Sequence, residues 1–309
     1  MFDYELNEQP RFSTWAQFAI LLVLTGVGLL VGSLISIFIA ISYLHIPLAV
    51  LQDALFRSEN ANLSRIIQFV STFFAMALPA IIFGRIMNRS AFRYVGFNRA
   101  ISGKQVFILI GIVVIALILS AALSELNEMI PLTKSLMQSF KKMEEQYSKE
   151  VFAIANMKSV QDYIVSLIII ALLPAVFEEM LFRGCLQPVM ISITKNAFAG
   201  ILITSILFSA LHGSYYGFLS RLALGLILGY IFYYSKNLWL SIVFHFLNNA
   251  LGVTQLYALS KKGLLNADVM NDDTLPLYYG LIALVALYFA FRIFKKESEV
   301  VISMHNLGS

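Results

Sequence analysis

The chain has 309 residues, of which 59% are hydrophobic and only 13% charged, with a formal net charge of +4. Soluble domains carry about 25% charged residues, so the composition excludes a soluble domain with a large core and indicates a polytopic membrane protein. The basic excess fits cytoplasmic loop lysines and arginines; no basic run with interleaved aromatics points to nucleic acid, and a single cysteine, Cys185, excludes an internal disulfide.

A membrane-spanning helix needs about 20 apolar residues. The acidic start, Met1 to Trp15, lacks a basic leader and reads as no cleaved signal. The first predicted span runs from about Thr14 to Tyr43, with Trp15 and Tyr43 as interface aromatics. A polar loop with Gln52, Asp53, Arg57, Glu59 and Asn60 leads to a second span, about Leu63 to Met87, with a kink expected at Pro79. The most basic connection follows, with Arg85, Arg89, Arg93, Arg99 and Lys104, and then a third span, about Gln105 to Leu123. Within the polar segment Ser124 to Ser159, Leu132, Leu136, Phe140, Met143 and Tyr147 recur at three- and four-residue steps. They predict an amphipathic helix on the membrane or capping the bundle; a solvated connecting helix fits equally.

From Tyr163 the chain runs uncharged to Glu178, Glu179 and Arg183, and uncharged again to Lys195. The fourth span therefore holds these three charges near its middle, tilted or kinked at Pro174. Later spans are expected at about Ala197 to His212, Tyr216 to Tyr234, Leu238 to Tyr257 and Leu275 to Phe294. Gly225 and Gly229 offer a small-residue contact face, and Arg292, Lys295 and Lys296 close the last span. The expected fold is all-α: a transmembrane bundle of about eight spanning helices plus one amphipathic helix. It reads as one membrane domain over 1–309, with a core at about 160–257, three spans before it and one after. An even span number puts both termini on one side, and the Arg85–Lys104 connection makes that side the cytoplasm.

A charge near the bilayer centre costs roughly 2.5–3.5 kcal/mol, so Glu178, Glu179 and Arg183 mark the candidate active site. Glu179 and Arg183 are four apart and can pair on one helix face; Glu178 points about 100° away, toward another helix. His45 and His305 lie in loop and tail positions, whereas His212 and His245 lie in or at the end of apolar spans. His245 and Asn249 share a face; Asn248 is expected to point elsewhere. A carboxylate, two imidazoles and an amide can thus converge from three helices. In a dry pocket Glu178 can take a proton from water. His212, His245 or both can orient that water or, with Glu178, hold a divalent metal such as zinc. Asn249 or a histidine can donate to an oxyanion. The reaction class is peptide or other acyl hydrolysis, with Glu179 and Arg183 in support.

The series Glu178-Glu179-x-x-x-Arg183, Phe208-x-x-x-His212 and His245-x-x-x-Asn249 resembles the CPBP intramembrane proteases. This is the CAAX-protease and bacteriocin-processing (Abi) family, which includes the type II CAAX prenyl endopeptidases. Phe182-Arg183-Gly184, the Gly225 to Gly229 helix and Asn237-Leu-Trp239 extend the likeness, which covers about Ile164 to Leu251. The resemblance implies an endopeptidase with Glu178 as base, Glu179 and Arg183 as its support, and His212, His245 and Asn249 around the water or metal. It also implies a protein or peptide substrate, in some members prenylated. A proton-coupled transporter and a non-catalytic immunity or scaffold protein are the competing classes; the first predicts inverted repeats, which the sequence does not display.

Overall fold

The computed structural model describes residues 11–97, 101–155, 157–264 and 275–307. Met1 to Pro10, Arg99 and most of the predicted Ser260–Thr274 loop lie outside them. Among the described residues the chain is helical throughout: α1 (Thr14–Leu44), α2 (Ser58–Met87), α3 (Gly103–Glu128), α4 (Lys134–Ala155), α5 (Val160–Thr194), α6 (Ala197–Ala210), α7 (Phe218–Ser235), α8 (Leu238–Lys261) and α9 (Leu277–Leu307). This is a polytopic helical bundle. Each predicted span is a helix, and α1, α2, α3, α5, α7 and α9 are long and apolar enough to cross a membrane. The other two are different. Helix α6 has 14 residues, about 21 Å at 1.5 Å per residue, which is short of a hydrocarbon core. Helix α8 has the length, but Ser241, His245, Asn248, Asn249, Thr254 and Gln255 dilute its apolar surface.

Small residues set how closely the helices approach. On α1 the buried Gly28, Gly32, Ser36 and Ala40 form a stripe at four-residue steps. A Cβ on Gly28 would collide with the Phe74 carbonyl oxygen, and Ser36 Oγ lies 2.9 Å from Ser71 Oγ. Packing is thus backbone against backbone, as membrane helices without a hydrophobic drive between them require.

The prolines expected to kink the helices each come with a wider turn. Pro79, Pro174 and Pro188 each stand second after a π turn: Phe73–Ala77, Leu167–Leu172 and Met180–Leu186. A helical proline lacks an N–H, and its ring meets the carbonyl four residues back. A wider turn just ahead relieves that contact while the helix continues. The segment Leu173–Glu179 lies between two such turns, so the carboxylates sit between two resets of the helix register.

Helix α9 runs well past Phe294, where the basic cluster was expected to end it. The reason is tertiary. Its far end docks on the start of α3, where Ser102 and Gln105 form a capping box. Lys104 pairs with Glu297 at 2.9 Å, and Gln105 donates to Ser298 at 3.0 Å. The amphipathic helix exists as α4, but its expected apolar face is only partly used. Leu136 and Met143 are exposed, whereas Phe140 stacks on Tyr215 at 4.3 Å and Tyr147 turns inward.

Candidate active site

The two carboxylates of α5 face different partners. Glu179 is wholly buried, and its Oε1 accepts from Arg183 Nη1 and from His245 Nδ1, both at 2.9 Å. Arg183, also wholly buried, donates Nη2 to the Gly225 carbonyl at 3.1 Å and packs its guanidinium 4.7 Å from the Phe208 ring centre. Four residues further on, Gln187 donates to the Gly229 carbonyl at 3.0 Å. Glu179, Arg183 and Gln187 thus form one rail on α5 that grips the backbone of α7. Glycine is needed on the other side: a Cβ on Gly225 would sit 2.9 Å from Ser205 Cβ, and one on Gly229 would sit 2.6 Å from Ile201. Gln187 belongs to no motif in the sequence; its signal is a polar residue one helical turn after Arg183 in an apolar run.

Glu178 lines a cavity of about 430 Å³ together with His212, His245, Asn248 and Asn249. The two asparagines therefore line the same space, contrary to the helical-wheel expectation for Asn248. His212 is reached because α6 is short: it ends at Ala210, and the turn after it carries the imidazole to the level of Glu178. That turn is pinned by Gly213 in the left-handed region (φ 65°) and by Ser214, which donates to Glu144 of α4 at 2.8 Å.

Hydrogen-bond partners assign the tautomers. His212 Nδ1 lies 2.8 Å from the Phe208 carbonyl, which can only accept, so Nδ1 carries the proton. His245 Nδ1 faces a carboxylate oxygen already held by Arg183, so it too carries the proton. In the neutral rings both Nε2 atoms are then bare acceptors. They lie 4.0 Å and 3.9 Å from Glu178 Oε2, too far to bond. Among the described residues Glu178 Oε2 has no hydrogen-bond partner. Three lone-pair atoms thus surround one gap, and whatever fills it must offer protons or positive charge.

Either a water or a divalent cation meets that requirement. The donor types suit zinc, and both rings are oriented from behind through Nδ1, as metal-bound histidines are. The spacing is wider than a metal site. Tetrahedral zinc ligands stand about 3.3 Å apart, and among the described residues no group of three His, Cys, Asp or Glu is gathered to hold an ion. A bridging water, with hydrogen bonds of about 2.8 Å, suits gaps of 3.9–4.0 Å better than a tetrahedral ion does.

Residues 160–251 match the family model for Type II CAAX prenyl endopeptidase Rce1-like. Glu178, Glu179, Arg183, His212, His245 and Asn249 all fall inside that stretch. No curated protein and no solved structure matches the chain.

Proposed function

We propose that this integral membrane protein, whose Rce1-like domain is that of a CAAX-type membrane protease, hydrolyses a peptide bond near the C-terminus of a protein or peptide, with Glu178 as general base. The observation that carries the reading is the convergence of Glu178 Oε2 and two bare imidazole nitrogens on one gap. A water there donates one hydrogen to Glu178 and the other to His212 or His245. As its oxygen attacks the substrate carbonyl, its proton passes to Glu178, and a C–O bond forms. The amide of Asn249, with Asn248 beside it, donates to the resulting oxyanion. The proton on Glu178 then moves to the leaving nitrogen as the C–N bond breaks. Glu179 and Arg183 touch no reacting atom; they hold His245 in its tautomer and fix α5 against α7.

A divalent cation, if used, would take Glu178, His212 and His245 as ligands and supply Lewis acidity. The substrate class that the domain suggests is a protein ending in a short tail after a prenylated cysteine, presented from the lipid. We place the whole chain in one membrane domain, and both termini in the cytoplasm on the strength of the Arg85–Lys104 connection. Incubating purified wild type with a peptide library, followed by mass spectrometry of products with and without a chelator, tests the reading. Cleavage at one bond near the C-terminus that survives the chelator supports a water held by protein alone. Loss restored by zinc transfers the water to a metal. No cleavage of any prenylated or unprenylated peptide contradicts the proposal.

A further inference from the structure

The cavity that holds Glu178 also holds a cation that the reaction above does not use. Arg221, in the first turn of α7, is half-buried and lines the same space as Glu178 and His212. Its guanidinium is held in place: Nη1 donates to the Ser214 carbonyl at 3.3 Å, and the Tyr147 ring of α4 covers it at 5.1 Å. It lies against Gly217, where a Cβ would come within 2.7 Å of Cζ and both Nη atoms. Among the described residues no carboxylate pairs with it. Glu144, from the helix above, turns to Ser214 instead. A cation in the first turn also opposes the helix dipole. Glu150 and Glu178 line the same cavity, but neither comes within 4.0 Å of the guanidinium, so an arginine set against the dipole and facing the cavity keeps its hydrogen-bonding fork open to an anion.

We propose that Arg221 binds the C-terminal carboxylate of the substrate. The proposal rests on the endopeptidase reading and deepens it. The guanidinium fork matches a carboxylate in two parallel hydrogen bonds, and the bound carboxylate answers the dipole as well. The anchor and Glu178 share one cavity, and an extended chain covers at most about 3.3–3.6 Å per residue. Fixing the chain end at Arg221 therefore fixes which bond lies over the water. The site would take free peptide termini and reject amidated or extended ones, which makes it an end-measuring device rather than a general peptidase.

Two peptides test this: a fluorescent, S-farnesylated peptide ending in Cys-Val-Leu-Met, made with a free carboxylate or with a carboxamide. Binding is measured by anisotropy on the inactive Glu178→Gln protein, and cleavage on protein with Glu178 intact. The carboxylate form is expected to bind about 10- to 100-fold tighter, the range for hydrogen bonds between charged groups. Arg221→Gln should bring that ratio close to one by weakening the carboxylate peptide alone, and in cleavage the change should appear in KM. Gly217→Ala keeps the charge but pushes the guanidinium aside at its flexible end, so it should lower the same ratio with an unchanged unfolding midpoint. Equal binding of the two peptides to Glu178→Gln protein overturns the anchor, as does an equal loss for both peptides in Arg221→Gln. Selective binding through Arg221 without any cleavage by the protein with Glu178 intact would instead support the anchor and contradict the endopeptidase reading alone.

Discussion

The buried pair of Glu179 and Arg183 offers a quantitative test of how the bundle holds its candidate active site. Both side chains are wholly inaccessible. Replacing Arg183 with leucine removes the 2.9 Å pair, the 3.1 Å bond to the Gly225 carbonyl and the contact with Phe208, and leaves the Glu179 carboxylate with only His245. Replacing Glu179 with glutamine leaves the guanidinium buried without its counter-charge, although the amide oxygen can still accept from His245. Breaking a buried ion pair from one side costs about 3–5 kcal/mol. Removing both charges together leaves no uncompensated charge, and the Gly225 carbonyl keeps its helical N–H. The double variant should therefore be no less stable than the worse single variant, giving a coupling of at least about 3 kcal/mol, the upper end for neighbouring residues. Unfolding of wild type, both singles and the double in mixed detergent–dodecylsulfate micelles, followed by circular dichroism, measures it. Costs that add to within about 0.5 kcal/mol, as for independent sites, would refute the argument that the pair is one electrostatic unit.

Three further expectations follow from the same geometry. His212→Ala and His245→Ala should each lower turnover by about 10²- to 10⁴-fold, the range for loss of an acid–base partner. Only His245→Ala should also lower the unfolding midpoint, because Glu179 Oε1 then loses a charge-assisted bond of about 1.5–3 kcal/mol; equal midpoints would contradict the assigned partners. Gly229→Ala drives a methyl toward Ile201 and Gln187 and should cost about 1–3 kcal/mol. Gly111→Ala, on α3 with open space around it, should stabilise by up to about 1 kcal/mol through helix propensity, and thermal unfolding of the pair checks both signs. Gln187→Leu should cost about 0.5–1.5 kcal/mol by the same assay, for the lost bond to Gly229, with kcat unchanged; a fall in kcat would show that the rail reaches the reacting atoms.

Hydropathy made most of the bundle legible, and the spacing of charged residues in apolar runs picked out residues that line one cavity. Glu178, His212, His245 and Asn249 line one cavity because α5, the turn after α6, and two successive turns of α8 present them to it. What escaped the sequence depends on neighbours. Glu179 reads as half of a helix-internal pair, yet its second donor is His245, 66 residues away. The support of the base and the orientation of the histidine are therefore one feature. The length of α9 was hidden because Glu297 and Ser298 gain their partners from α3. Asn248 was placed by an ideal 100° wheel, but a cavity broad enough for a peptide admits side chains from more than one direction. The π turns are half-visible: each stands just before a proline, and a proline inside an unbroken apolar run is their signal. Arg221 was passed over because a lone arginine at a helix start has no motif, and only its contacts with Gly217, Ser214 and Tyr147 give it a role.

The central claim is that Glu178 activates the water while Glu179 only supports the site. The most direct measurement is turnover of one cleavable peptide by purified Glu178→Gln, beside wild type, with the unfolding midpoint of each recorded. The account predicts a wild-type midpoint with turnover reduced by at least about 10²-fold, as for loss of a general base. Glu178→Gln protein that keeps wild-type turnover, or that loses it only by unfolding, would contradict it.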